Sequence, residues 1–393
     1  VDATSDKIDA LFARLVEHPD DDGAALVLGD ALAEVGDMRG ELVHVQHALA
    51  SASKTDRPAL KTREAALLHG LRARLVGPRF ASLPTISFGV RSGFLRTIDI
   101  ADQGPDDAAK ILASLLESQD ARLLESIRIS WEAETVMGLG EVLRRLIADE
   151  VKPPASLRRL VIGSAFENDR GDRPAGNVDP DEIEREDLRQ VLTMFPRLRE
   201  LELDLGIVEP QLAPLATKHL ERLTWITPRM TSDQLKPLGR SVLPSLARFE
   251  LWIGAEYEAE EFGDYDEEAD LTPSNSLSLR ELGPVLAMLD RSPALRELSL
   301  GAYTGELGTL LEFLGRYAFV KHLDVLELSH FELDDPEGIV DFMTAEPALK
   351  RVVLREVHAS ERVQSNLERR LGPRLEAEWA KKPTQFRYVS NME

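Results

Sequence analysis

The chain contains no cysteine. That excludes a disulfide scaffold, cysteine-based zinc sites and thiol chemistry, and it fits a reducing, cytoplasmic setting. No apolar run reaches the roughly 18–20 residues needed to cross a bilayer. The opening stretch, VDATSDKIDALFARLVEH, has no basic segment followed by an apolar core, so no secretory leader is expected there. Basic charge is also in deficit: 47 Lys and Arg stand against 69 Asp and Glu, a net charge of −22. Such a field repels a phosphate backbone and an anionic membrane surface, so nucleic acid and membrane are not expected as partners. A basic protein partner is favoured by the same charge.

Enzyme signatures are missing as well. There is no Gly-x-x-x-x-Gly-Lys-Ser/Thr loop, no Gly-x-Gly-x-x-Gly and no Gly-x-Ser-x-Gly elbow. Glu41, His44 and His47 share a helix face at three-residue spacing. They do not form His-Glu-x-x-His, and no further ligand accompanies them, so surface or half-buried histidines are expected rather than a metal centre. Arg170-Gly171-Asp172 matches an integrin-binding tripeptide, a match so short that it arises by chance. No catalytic residue, metal or cofactor is expected.

What the chain does have is one phrase written nine times: apolar, two variable, apolar, one variable, apolar. It runs Leu95-Ile98-Ile100, Leu124-Ile127-Ile129, Leu157-Leu160-Ile162, Leu198-Leu201-Leu203, Leu220-Leu223-Trp225, Leu246-Phe249-Leu251, Leu295-Leu298-Leu300, Leu323-Leu326-Leu328 and Leu349-Val352-Leu354. Successive phrases start 29, 33, 41, 22, 26, 49, 28 and 26 residues apart. The shorter intervals match repeats of about 20–29 residues with one strand each. Segments between them read as helices: Asp106–Ser118, Glu134–Ile147, Asp181–Met194, Leu277–Leu289, Leu307–Tyr317 and Pro336–Met343. A chain of 393 residues is too long for one ordinary core, whereas a solenoid grows without splitting because each unit contacts only its neighbours.

These phrases resemble the helix-containing leucine-rich repeats of ribonuclease-inhibitor type. The resemblance implies an α/β solenoid, a curved parallel sheet with helices outside, over residues 81–380. The Asn or Cys that such repeats carry after the third apolar residue is mostly missing, so irregular turns are expected there. Residues 381–393 read as a tail.

Residues 1–80 lack the phrase and read as four helices, carrying Ile8, Leu11, Phe12 and Leu15; Ala25, Leu28, Leu32 and Val35; Leu42, Val45 and Leu49; and Leu60, Leu67, Leu68, Leu71 and Leu75. Pro19, Gly36 and Gly77-Pro78 punctuate them. Gly36-Asp37-Met38-Arg39-Gly40-Glu41, with Gln46 downstream, resembles the repeat-companion domain of myxobacterial and planctomycete proteins. That implies a bacterial protein with a small all-α N-terminal domain that caps the first repeat, and it brings no chemistry with it. Arg39 and Glu41 are expected to be partners that lock the corner between two helices.

In a strand of this type the phrase's apolar residues point inward and the residues between them point to the concave face. The candidate partner-binding residues on that face are Arg128, Arg159, Glu200, Glu202, Asp204, Arg248, Glu250 and Trp252, joined by Tyr303 just past a strand. Exposed Trp and Tyr there would be hot spots. The 49-residue interval holds Ala255–Asp270, with nine acidic residues and no Lys or Arg. It fails as a calcium loop, since Ala269 stands where glycine is required. It reads as a solvated loop, or as a docking strip for a basic partner anchored by Tyr257, Phe262 and Tyr265. The 41-residue interval holds a second exposed loop, Glu167–Asp187. The expected function is non-enzymatic recognition of a protein through the concave face and acidic loops. The alternatives are a regulator of a small GTPase, and an effector or immunity component bound or cleaved by a partner protease.

Overall fold

A computed structural model describes residues 3–101, 105–131, 151–164, 174–175, 192–204, 214–227, 232–253, 278–301, 307–380 and 389–390. The chain divides into two compact units, Val1–Ser130 with Glu141–Val161, and Trp131–Gly140 with Ile162–Glu393.

The first unit opens with α1 (Ala3–Glu17), α2 (Asp22–Glu34), α3 (Met38–Ser51) and α4 (Arg57–Ala81), the last interrupted at Gly77, whose φ is +79°. The Gly-Asp-x-Arg-Gly-Glu run builds the corner between α2 and α3. Gly36 takes φ +76° just after α2, a conformation that favours glycine. Asp37 then caps α3 by accepting from the Arg39 N–H at 2.9 Å. Gly40 lets the helices touch, since a Cβ there would stand 2.5 Å from the Ala33 nitrogen. Arg39 and Glu41 are not partners, and of the two only Arg39 braces this corner. Arg39 is buried against Asp37 at 2.7 Å and Asp120 at 3.0 Å, while Glu41 points outward and pairs with Arg63 of α4.

An antiparallel hairpin follows, β1 (Ile86–Arg91) and β2 (Phe94–Ala101), turning at Ser92 and Gly93 with φ +50° and +77°. Gln46 holds this turn on the helices: its Oε1 accepts from the Gly93 N–H at 2.7 Å and its Nε2 donates to Glu64 at 2.9 Å. After α5 (Pro105–Glu117), β3 (Ser126–Trp131) joins β2 in parallel. Phe12, Leu15, Leu28, Leu32 and Val43 share one core with Phe94 and Leu123. The helices are thus packed into a unit that also contains strands, and the division expected near residue 80 falls inside that unit. The third phrase forms β4 (Arg159–Ser164).

The second unit alternates strands and helices. They are β5 (Glu200–Asp204), β6 (Arg222–Thr227), α6 (Ser232–Gly239), β7 (Arg248–Ile253), α7 (Leu279–Leu289), β8 (Glu297–Gly301), α8 (Leu307–Leu314), β9 (Val325–Ser329), β10 (Glu332–Leu333), α9 (Glu337–Ala345), β11 (Arg351–Ala359), α10 (Glu361–Leu371) and β12 (Leu375–Trp379). The strands pair in parallel in the order β5-β6-β7-β8-β9-β11, with β10 and β12 both on β11. Each helix packs on the next, α6 on α7 through to α10. Gly239 permits the first of these contacts, since a Cβ there would lie 2.6 Å from Pro284. This nearest-neighbour stacking fits a repeat solenoid.

The phrase repeats in register. Leu201, Leu223, Phe249, Leu298, Leu326 and Val352 form one ladder; Leu203, Trp225, Leu251, Leu300, Leu328 and Leu354 form the next. All are buried, as are all nine leading leucines. A tight turn precedes most strands: the N–H groups of Leu198, Leu246, Leu295 and Leu349 donate to Phe195, Leu243, Ser292 and Glu346 at 3.0–3.1 Å. In each of these Pro sits second in the turn, where its fixed φ belongs. The turns after β5, β6, β7 and β8, the helix expected at 134–147, most of that at 181–194, and both long loops apart from Pro174–Ala175 lie outside the described residues. So does the tail, apart from Val389–Ser390, which pairs with Pro174–Ala175.

Candidate functional site

Strand side chains alternate, so the residues between the buried ladder positions share the opposite face. In the second unit these form three rows. The first is Glu200, Arg222, Arg248, Glu297, Val325 and Arg351; the second is Glu202, Thr224, Glu250, Ser299, Glu327, Val353 and Glu376. The third contains Ile226, Trp252, Gly301, Ser329, Arg355 and Glu378.

The first row is half exposed and mixes two carboxylates with three guanidinium groups, which pair within the row and with Glu376 of the second. Arg222 lies 3.6 Å from Glu200, Arg248 lies 3.4 Å from Glu297, and Arg351 lies 2.7 Å from Glu376. The second row sinks toward β7–β9. Glu250 is 3% exposed, Ser299 3% and Glu327 9%. Strands about 4.8 Å apart place in-register side chains against one another, so long side chains cover short ones. Exposure on this face therefore belongs mainly to its first row and to the Arg355, Glu376 and Glu378 edge.

This corrects the expectation for two candidates. Trp252 is 3% exposed and is no open hot spot. Its indole lies across Gly301, where a Cβ would stand 2.7 Å from the ring, and reaches the His330 imidazole at 5.0 Å between centroids. Its Nε1 donates to Glu250 Oε1 at 2.8 Å. Glu250 is committed too, its Oε2 accepting from Thr224 at 3.3 Å and facing Arg248 at 3.5 Å. A buried carboxylate needs such partners. Glu327 accepts from Arg355 Nε at 2.9 Å on one oxygen, while the other faces Arg248 at 3.8 Å, beyond hydrogen-bond distance. Ser299 Oγ and Ser329 Oγ are buried without a hydrogen-bond partner.

Glu200, Glu202 and Arg248 lie on the face as expected, on β5 and β7. Asp204 occupies the end of β5, its side chain outside the described residues. In the first unit Arg128 stands beside Asp99 in register, 3.9 Å away, and Arg159 opens β4. Tyr257, Phe262, Tyr265 and Tyr303 lie outside the described residues. The phrase places Ser299 and Glu327 on this face, one before its third apolar residue; Ser329, one after that residue, is the addition the structure makes.

Among the described residues no group of three or more His, Asp and Glu is placed to hold a metal. His44 instead faces Asp30 at 3.1 Å on the helix surface. A cavity of about 290 Å3 in the first unit is lined by Asp22, Leu26, Val43, Gln46, His47 and Glu64 among others. The Gln46 amide there is already spent on the hairpin and Glu64. Among the described residues no helix is long and apolar enough to cross a membrane.

No protein-family model matches the chain, and no curated protein matches it. Among solved structures, the chain is similar to a Bacteroides fragilis protein determined as a structural-genomics target. The likeness has a TM-score of 0.52 at 18% identity and covers 73% of this chain and 77% of that one. At that identity it shows the α/β fold alone.

Proposed function

We propose that this chain is a non-enzymatic recognition protein, a leucine-rich-repeat solenoid of ribonuclease-inhibitor type, whose charged sheet face binds a protein partner. In this reading the N-terminal helices are a repeat-companion module that buttresses the first hairpin, as the Gln46–Gly93 bond and the shared Phe12–Phe94 core favour. The observation that carries the function is the second unit's face. Its described side chains include seven carboxylates (Glu200, Glu202, Glu250, Glu297, Glu327, Glu376, Glu378) against four guanidinium groups (Arg222, Arg248, Arg351, Arg355). The half-exposed first row carries two of these carboxylates and three of the guanidinium groups, and the face is acidic in sum only through the other two rows. Such a mixed surface suits a partner with a basic patch, through steering and specificity more than through raw affinity.

Affinity capture from the native cell tests this. The bait proteins are wild type, Glu200→Lys/Glu297→Lys on the face, and Glu312→Lys on α8 as a control away from it. The proposal expects one protein retained by wild type and the control and lost from the face variant. A partner retained equally by all three baits rules the face out.

A further inference from the structure

Five residues on β7, β8 and β9 form a distinct cell within that face. Ser299 and Gly301 on β8 stand in register with Glu327 and Ser329 on β9. Three of these four are small, so the cell has a low floor, and the Trp252 indole from β7 walls it by lying over Gly301. Both serine hydroxyls are at least nine-tenths buried and have no hydrogen-bond partner. A buried polar group without a partner costs about 1–3 kcal/mol, so an unpaired pair beside a carboxylate marks a place where a donor is wanted. Glu327 contributes an oxygen that faces Arg248 at 3.8 Å, while its other oxygen accepts from Arg355.

We infer that this cell receives one arginine side chain from the protein partner. The inference rests on the proposed face and names what that face reads. A guanidinium supplies five donors in a planar fork, which suits a carboxylate oxygen and two hydroxyls on adjacent strands better than the point charge of lysine. A flat aromatic wall adds stacking and cation–π attraction. Arg248 and Arg355, which flank Glu327 from the strands on either side, have side chains 31% and 47% exposed. The excess of carboxylates on the face leaves room for one more positive charge.

The test uses the whole chain labelled with 5-fluorotryptophan, whose Trp252 resonance is identified by its loss in Trp252→Phe. The probes are acetyl-Gly-Arg-Gly-amide and its citrulline counterpart, which keeps the planar shape but lacks the charge and carries a carbonyl acceptor in place of one amino donor. The arginine peptide is expected to move the Trp252 resonance saturably and the citrulline peptide to leave it in place. Ser299→Ala and Glu327→Gln, checked for an unchanged melting temperature, should each weaken the arginine peptide at least about fivefold, the loss of one good hydrogen bond. Equal response to both peptides, or no movement up to the solubility of the arginine peptide, overturns the inference. Either result leaves the capture comparison standing, because that comparison reads the half-exposed first row and not this cell.

Discussion

Arg39 carries a full charge into the first unit and keeps it there only because two carboxylates meet it. Asp37 and Asp120 lie 2.7 and 3.0 Å away, and Arg74 closes the group on Asp120. Removing one member of a buried ion group leaves an uncompensated charge, which costs about 3–5 kcal/mol. Asp120→Asn should therefore lower the unfolding free energy by roughly that much, measurable by urea denaturation. Burial pushes the Asp37 carboxyl up, but hydrogen bonds from the Arg39 side chain and backbone more than reverse this and hold it below its ordinary value of 3.8. A depressed folded value means the stabilisation is complete above the unfolded value and is lost as pH falls through the folded one. The stability gap between wild type and Asp37→Asn should accordingly stay level above about pH 5 and shrink below about pH 4. A gap that widens in acid would contradict the assignment. Gly40→Ala adds a Cβ 2.5 Å from the Ala33 backbone nitrogen, which cannot move aside like a side chain tip. A loss of about 1–3 kcal/mol is expected from such overpacking.

At the scale of elements, the phrase specifies strands because each of its apolar positions must be buried in register with its neighbours. Leu298 sits in the middle of that ladder between Phe249 and Leu326. Leu298→Ala should cost about 2–5 kcal/mol, read as a lower denaturant midpoint. What the sequence reading missed has physical causes. The hairpin strand Ile86–Arg91 carries no phrase, and its signal was the Ser92-Gly93 pair between apolar stretches, which supplies both positive φ angles. The Pro-x-Leu turns before β5, β7, β8 and β11 were equally readable, since Pro fixes the second turn position. The phrase puts Trp252 on this face without deciding its exposure. Its burial depends on Gly301, 49 positions on in sequence, offering no side chain beneath the indole. No local pattern encodes that. Likewise Arg39 pairs with Asp120 across 81 positions as well as with adjacent Asp37, and the distant partner has no local signal.

At the scale of the molecule, the strongest sequence signals were a net charge of −22 and a repeat that makes a face. The structure joins them in the second unit, where the face opposite the buried ladder is charged, largely self-paired along its first row, and acidic in sum. The helices of the same unit carry exposed carboxylates as well, Glu312 among them, so charge alone does not choose the binding side. Carboxyl footprinting of the chain with its captured partner makes that choice. Glu200, Glu297 and Glu376 on the face, and Glu312 on α8, are all accessible to the reagent in the free protein. On adding the partner, labelling should fall at the three face glutamates and stay unchanged at Glu312. Protection at Glu312 with undiminished labelling of the face would contradict the account.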